Sequence, residues 1–277
     1  MSGCWLLARG DLRRDRLMIG LWCVVLVLLY WSQAASVEGL YATQADFDRA
    51  AASMEGNAAF IAMAGPARAL NTVGGQVFWQ ASAFGAILAG LMSMFLVGRH
   101  TRAEEESGRD ELIRSTAVDR TAPPTAALGV ALAVNLLAGL LVAASLLLVP
   151  LPAADSLATG LGLTLSGWCF SGTALLAAQL TQSTRAMYGI AGVVIALAYL
   201  LRAVGDVGNG VASWLSPIGW YQAMHPFSGL RWWPASLLIV AAAGSAVAAY
   251  VVLGRRDIGR GILADRRGPA AAGRWLG

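Results

Sequence analysis

The stretch from Arg99 to Arg120, reading RHTRAEEESGRDELIRSTAVDR, carries the densest set of ionisable side chains in this sequence. Glu104, Glu105 and Glu106 are adjacent, with Arg109, Asp110, Glu111 and Arg114 close behind. Without a nucleophile or a paired histidine, the chemistry available is ionic gripping rather than bond-making. Thr101 and Glu104 match a capping box, so a helix is expected to start there and to run to about Arg114. Glu105 with Arg109, and Asp110 with Arg114, have the i,i+4 spacing of pairs along one helix surface, and Leu112 and Ile113 give a short apolar side. Two readings stand level on these residues. In one, Glu104, Glu105, Glu106, Arg109 and Glu111 form an acidic handle that a basic groove on another protein grips. In the other, a solvated helix only fixes the direction of the chain.

Other chemistry is excluded by what the sequence lacks. All 20 basic residues are arginine, so the lysine of a GxxxxGK[ST] phosphate loop cannot be supplied by this chain. HExxH and GxSxG are absent. Cys4, Cys23 and Cys169 are an odd set without CxxC spacing, and they read as small apolar residues rather than metal ligands or disulfide partners.

The elements that must position the charged loop follow from composition. The 277 residues are 57% hydrophobic and 13% charged, about half the usual charge of a soluble domain. This excludes a soluble enzyme, a disordered scaffold and a nucleic-acid-binding domain. What remains is an all-α integral membrane protein. Six uncharged runs approach the roughly 20 residues a bilayer core requires: 17–35, 77–98, 125–149, 157–180, 186–201 and 236–254. None holds an Asp or Glu; Arg202 and Asp206 are expected just past the fifth run, at the outer surface. That bareness counts against ion-coupled carriers, which hold their coupling ion within the bilayer. Gln80, Asn135 and Gln179, with Thr164, Ser166 and Ser171, either line a path or join helices to one another, the second being favoured. Gly160, Gly162, Gly167 and Gly172 suit close helix contact.

Arginine distribution orients the helices. Arg9, Arg13, Arg14, Arg16, Arg99, Arg102, Arg109, Arg114, Arg120, Arg185, Arg255, Arg256, Arg260, Arg266, Arg267 and Arg274 fall on one side, against Arg49, Arg68, Arg202 and Arg231 on the other. The positive-inside rule then places both termini in the cytoplasm and His100 and His225 on opposite membrane faces, unable to share a metal. The expected order is an interfacial elbow helix over 1–16 and two spans over 17–98. An outer loop over 36–76 separates those spans, with one helix from Gln44 to Met63 broken by Gly65-Pro66. The charged inner loop over 99–124 follows, then four spans over 125–254, and a basic tail over 255–277. The segment 205–234 is an outer one, too apolar for a plain loop. Its Trp214, Trp220, Tyr221, Trp232 and Trp233 suit short helices dipping into the headgroup layer, as anchors or as an outer gate.

The stretch RAEEESGRDELIRSTAVDR (102–120) resembles the first inner loop of ABC-2-type exporter permeases, especially the actinobacterial polyketide-antibiotic (tetronasin-like) exporters. WLSPIGWYQAMHPFSGLRWWP (214–234) is similar to their outer re-entrant segment, and RRDIGRGILADRRGPA (255–270) to the basic tail after their sixth helix. The resemblance implies a multi-pass cell-membrane permease subunit that exports amphiphilic compounds. The chain would bind no cofactor of its own, because ATP and Mg sit on a separate cytoplasmic ATPase present in two copies. Those permeases commonly have twelve spans in two similar halves, so the resemblance also implies a second six-helix half, either following in the same chain or supplied by another. A non-transporting membrane protein whose inner loop binds a regulator is the alternative; a membrane-embedded lipid enzyme lacks the Asp, His or Ser cluster it would need.

Overall fold

The computed structural model describes residues 2–41, 43–108 and 119–255, and every regular element among them is helical. Elements in chain order are α1 (Ser2–Arg14), α2 (Arg16–Glu38), α3 (Gln44–Met54), α4 (Ala58–Ala64), α5 (Val73–Arg99) and α6 (Arg102–Glu106). There follow α7 (Ala122–Leu147), α8 (Ala153–Leu180), α9 (Thr184–Val207), a 3₁₀ turn (Ala212–Leu215), α10 (Pro217–Gln222) and α11 (Pro234–Arg255). Six of them, α2, α5, α7, α8, α9 and α11, are long and apolar enough to cross a membrane. They match the six expected spans, containing five of them, while the third, expected over 125–149, starts three residues earlier and ends at Leu147. Arg99, Arg102 and Arg120 mark one end of the bundle, called here the arginine end; Trp214, Trp220 and Trp233 mark the tryptophan end.

α8 is the central helix, packed against α5, α7, α9 and α11. Its glycines explain the position. A methyl on Gly160 would overlap the Gly139 carbonyl of α7, one on Gly162 the Tyr221 ring, one on Gly167 the Asn135 side chain, and one on Gly172 the Ser245 hydroxyl of α11. Without Cβ atoms the backbones close up, and dispersion over the shortened distance replaces the hydrophobic drive that lipid cannot supply. Asn135 of α7 sits at this junction, donating to Ser93 Oγ of α5 at 2.8 Å and reaching Ser171 Oγ of α8 at 3.4 Å, while Ser93 donates to the Gly167 carbonyl at 3.0 Å. It knots three helices together. Gln179 is also buried, donating within its own helix to the Leu175 carbonyl, and Gln80 lines a side recess of about 290 Å³ with Trp79 and Phe84. Cys23 and Cys169 are buried free thiols.

Several expectations are corrected. The outer helix 44–63 is two helices, because Gly56 adopts φ +77° and Asn57 then caps α4 through the Ala59 and Phe60 amides. The capping box at Thr101 does not form: its hydroxyl donates backward to the Val97 carbonyl. α6 stops at Glu106, with Gly108 at φ +73°, instead of continuing unbroken to Arg114. Arg109, Asp110, Glu111, Leu112, Ile113 and Arg114, with the two i,i+4 pairs expected of them, lie outside the described residues, as does the basic tail from Arg256. Arg202 and Asp206 belong to α9, and Arg202 is fully buried rather than at the surface. Tyr221 is no belt residue: it has no exposed surface, shares a 3.0 Å hydrogen bond with Tyr30 of α2 and donates to the Thr159 carbonyl of α8 at 3.0 Å.

Candidate functional site

At the arginine end, a short helix is tied to three other helices. α1 ends at Asp15, which is not helical in its own right (φ −100°, ψ 11°) and lets α2 leave at a new angle. Its buried carboxylate faces His100 Nε2 at 2.7 Å and forms an ion pair with Arg99 Nε at 3.0 Å, both at the C-terminus of α5. The other ring nitrogen of the fully buried His100 lies 3.1 Å from Asp11 of α1 and 2.8 Å from Arg14 Nη2. Arg14 reaches on to Glu104 of α6 at 2.6 Å. Burial of its guanidinium opposes the charge, but the hydrogen bond and charge of Glu104 outweigh this, and Arg14 holds its proton more firmly than a free arginine.

The remaining glutamates continue the pattern. Arg102 is buried, donates from Nε to the Ala178 carbonyl near the end of α8, and pairs with Glu105 at 2.7 Å. A cation on the last carbonyls of a helix is favoured by the helix dipole. Glu106 accepts from the Thr184 amide at 2.8 Å and its hydroxyl at 2.6 Å, placing a carboxylate on the N-terminus of α9, where the dipole favours it equally. Glu104 and Glu106 therefore tie α6 to α1 and α9, while Arg102, paired with Glu105 inside α6, ties it to α8; all three glutamates are engaged within the chain rather than forming a free acidic handle. An open recess of about 370 Å³, lined by Arg14, Arg99, Ala103, Glu104 and Ser107, lies beside them.

Asp11, His100 and Glu104 bring three potential metal ligands within 4.8 Å of one another. Arg14 Nη2 stands among these atoms, 2.6 Å from Glu104, 2.8 Å from His100 and 3.9 Å from Asp11, so the chain supplies the cation itself.

The tryptophan end is built differently. Arg202 Nη2 donates to the Ala62 and Met63 carbonyls at 3.0 Å, and Nη1 contacts the Ile61 carbonyl at 3.4 Å and Asp206 at 3.5 Å. Its guanidinium lies 4.7 Å over the Tyr199 ring. Tyr199 donates to the Met63 carbonyl, Gln222 to that of Ala64 at 2.7 Å, and Trp79 to that of Gly65 at 2.7 Å. These side chains collect the carbonyls that end α4, which has no following turn to use them. Trp214 and Trp233 stack at 5.2 Å and 15°, Trp220 donates to the Trp214 carbonyl, and Trp232 is exposed. The expected short helices of this segment are present as the 3₁₀ turn and α10, the latter capped by Ser216.

Asp11, Arg14, Asp15, Arg99 and His100 were not picked out as site residues by sequence reasoning. The available signal was their position, charged groups immediately flanking the first two apolar runs. For Arg202 it was the Asp206 four residues on in an otherwise apolar run, since ionisable groups near membrane depth are rare without a role.

No family model matches the chain. Over 271 residues it is 39% identical to the multidrug efflux system permease protein Rv1217c of Mycobacterium tuberculosis, a match that takes in 98% of this chain and 49% of that protein. The chain thus spans about half the length of the curated relative it matches. With six membrane-length apolar helices and a permease as its relative, this is a multi-pass cell-membrane protein.

Proposed function

We propose that this chain forms one six-helix half of the membrane pathway of an ATP-binding-cassette exporter for hydrophobic or amphiphilic compounds, of the tetronasin-like type. The arginine end faces the cytoplasm, as its excess of arginine requires. A separate ATPase subunit, in two copies and carrying ATP and Mg, docks at the recess beside α6. The observation that carries this reading is the tethering of α6. A helix of five residues tied to α1 by Glu104, to α8 by Arg102 and to α9 by Glu106 cannot be displaced without moving all three, so it converts a push from below into a tilt of the bundle. Glu104, Glu105 and Glu106 transmit force by holding these joints, and Arg109 and Glu111 are assigned to the surface that meets the ATPase. Trp214, Trp220, Trp232 and Trp233 close the outer side, and Gln80, Asn135 and Gln179 are the polar groups nearest a path, with Asn135 acting chiefly as the knot between helices.

A second six-helix unit completes the pathway. The match to half of a longer permease supports it, and so do two outward stripes of heptad spacing: Leu17, Leu21, Val24, Leu28 and Trp31 on α2, and Val193, Leu197, Leu200, Val204 and Val207 on α9.

The test replaces Glu104 and Glu106 together with glutamine in the complete transporter. Because the glutamates act inside the chain, the ATPase subunit still co-purifies, while drug resistance and drug-stimulated ATP hydrolysis fall by about tenfold, the equivalent of roughly 1.4 kcal/mol of lost coupling. Unchanged resistance overturns the coupling role. Loss of co-purification instead places these carboxylates in the docking surface itself.

A further inference from the structure

The tryptophan end contains a cavity that the export reading does not use. It has a volume of about 330 Å³ and lies between the turn after α4, where Pro66 and Arg68 sit, and the segment from Gly205 to Arg231. Its charged lining is Arg68, Asp206 and Arg231, with His225 between them. Asp206 is already served by Ser213 at 2.6 Å and by the buried Arg202. Among the described residues, the side chains of Arg68 and Arg231 have neither a hydrogen-bond nor an ion-pair partner. The lining is therefore cationic, and both guanidiniums act on His225, whose imidazole is pushed down to about 4 by burial and by these two charges.

The cavity is pre-formed. The three non-glycine residues with left-handed backbone among the described residues are Ala69, next to Arg68, and His225 and Phe227, on the opposite wall. Such conformations persist where surrounding contacts dictate them, and here they fix the two loops that aim the guanidiniums. Phe227 is further held by its amide, which donates to Asp155 at 2.7 Å. Trp214 lines the cavity while stacking on the exposed Trp233, and its chain neighbours Val211 and Leu215 are exposed. A cationic pocket with a stacked tryptophan pair in its wall matches a molecule with an anionic head and an apolar body. The volume lies at the small end of ligand sites, about 300–1,000 Å³, enough for a headgroup and not for acyl chains.

We propose that this cavity binds the phosphate-bearing headgroup of an anionic amphiphile, with Arg68 and Arg231 as the two phosphate donors and the Trp214–Trp233 stack against its apolar part. Two arginine forks lining one cavity can match phosphate oxygens in a way that a single point charge does not. The site uses none of the residues that hold α6, and it shares with the export reading only the Trp214–Trp233 stack.

The experiment titrates the chain, reconstituted in phosphatidylcholine nanodiscs, with dihexanoyl phosphatidylglycerol, dihexanoyl phosphatidylcholine and inorganic phosphate, reading binding by thermophoresis. The phosphoglycerol lipid is expected to bind about tenfold more tightly than the choline lipid, and the Arg68→Gln/Arg231→Gln variant to lose that preference. Both side chains are exposed, so folding should be undisturbed; where the double variant does not fold, either single variant is expected to lose roughly threefold. Arg49→Gln, exposed on α3, is expected to keep the preference. Inorganic phosphate binding as tightly as the lipid, with the same arginine dependence, supports the anion site and identifies its ligand as the free anion. Equal binding of the two lipids by the unaltered chain, or a preference that survives both arginine substitutions, overturns the proposal.

Discussion

The two ends of this bundle hold their arginines in different ways. At the arginine end, side-chain charges mostly meet side-chain charges: Arg14 with Glu104, Arg99 with Asp15, and Arg102 with Glu105, Arg102 alone also donating to a backbone carbonyl, that of Ala178. At the tryptophan end, Arg202 spends its donors mainly on backbone carbonyls of α4, backed by Gln222, Trp79 and Tyr199. The first arrangement can exchange partners, because several carboxylates and cations of similar reach lie together. The second cannot, because the carbonyls are fixed in one chain segment. Exchangeable charge pairs at one end and fixed carbonyl contacts at the other suit a lever.

The sharpest way to break the comparison is Arg202→Gln. It removes the buried cation that pairs with Asp206 and the donors to the carbonyls of Ile61, Ala62 and Met63, leaving Asp206 only Ser213 and Met63 only Tyr199, and breaking such a buried pair costs about 3–5 kcal/mol. The chain is expected either to fail to accumulate or to melt well below the unaltered protein, with α3 and α4 exchanging amide hydrogen rapidly. Arg202→Lys should not rescue it, since one ammonium cannot span three carbonyls and a carboxylate. Unchanged exchange in α4 would show that the latch is not where the outer helices are held.

Asp15→Asn tests the other end with a smaller expected effect, about 1–3 kcal/mol. Asparagine keeps the shape but removes the charge facing His100 and Arg99. If this joint is adaptable, Asp11 and Glu104 take over part of the pairing, and the loss of melting temperature stays below that of Arg202→Gln. A loss as large as the latch variant would make both ends rigid and remove the contrast.

How much of this was legible without coordinates depended on the range of the interaction. The six spans and the α8 glycines could be read because composition and small-residue spacing are local, and a bilayer admits few alternatives. Asn135 as an interhelix knot could be anticipated for the same reason. The joints could not. Arg14 and Glu104 are 90 residues apart, and Arg202 and Ala62 are 140 apart. With 20 arginines and 16 acidic residues, nothing local selects the partners. The expected capping box failed where a serviceable local signal met a stronger competitor: the Thr101 hydroxyl is buried against its own helix and reaches the Val97 carbonyl first. Tyr221 was misplaced because an aromatic among tryptophans looks like an interfacial anchor, whereas its ring fills the gap that Gly162 leaves.

The smallest expected effect sharpens the electrostatic side of the contrast. The His225 imidazole is pushed down to about 4 by burial and by Arg68 and Arg231, against 6.5 in the unfolded chain. Between those values the unfolded chain binds more protons than the folded one, so stability rises with pH across this window. The contribution of His225 is complete above about pH 6.5 and is lost as the pH falls toward 4. The charged groups facing it are Arg68 from the turn after α4, Asp206 from α9 and Arg231 from the segment before α11. His225→Asn is the suitable variant, because the residue sits at φ +52°, where asparagine is also tolerated. Melting curves at pH 7 and pH 4.5 are expected to show a smaller acid loss in the variant than in the unaltered chain. Equal losses would mean that the two arginines do not bear on His225, and the tryptophan end would then lack the unbalanced positive charge that separates it from the internally paired arginine end.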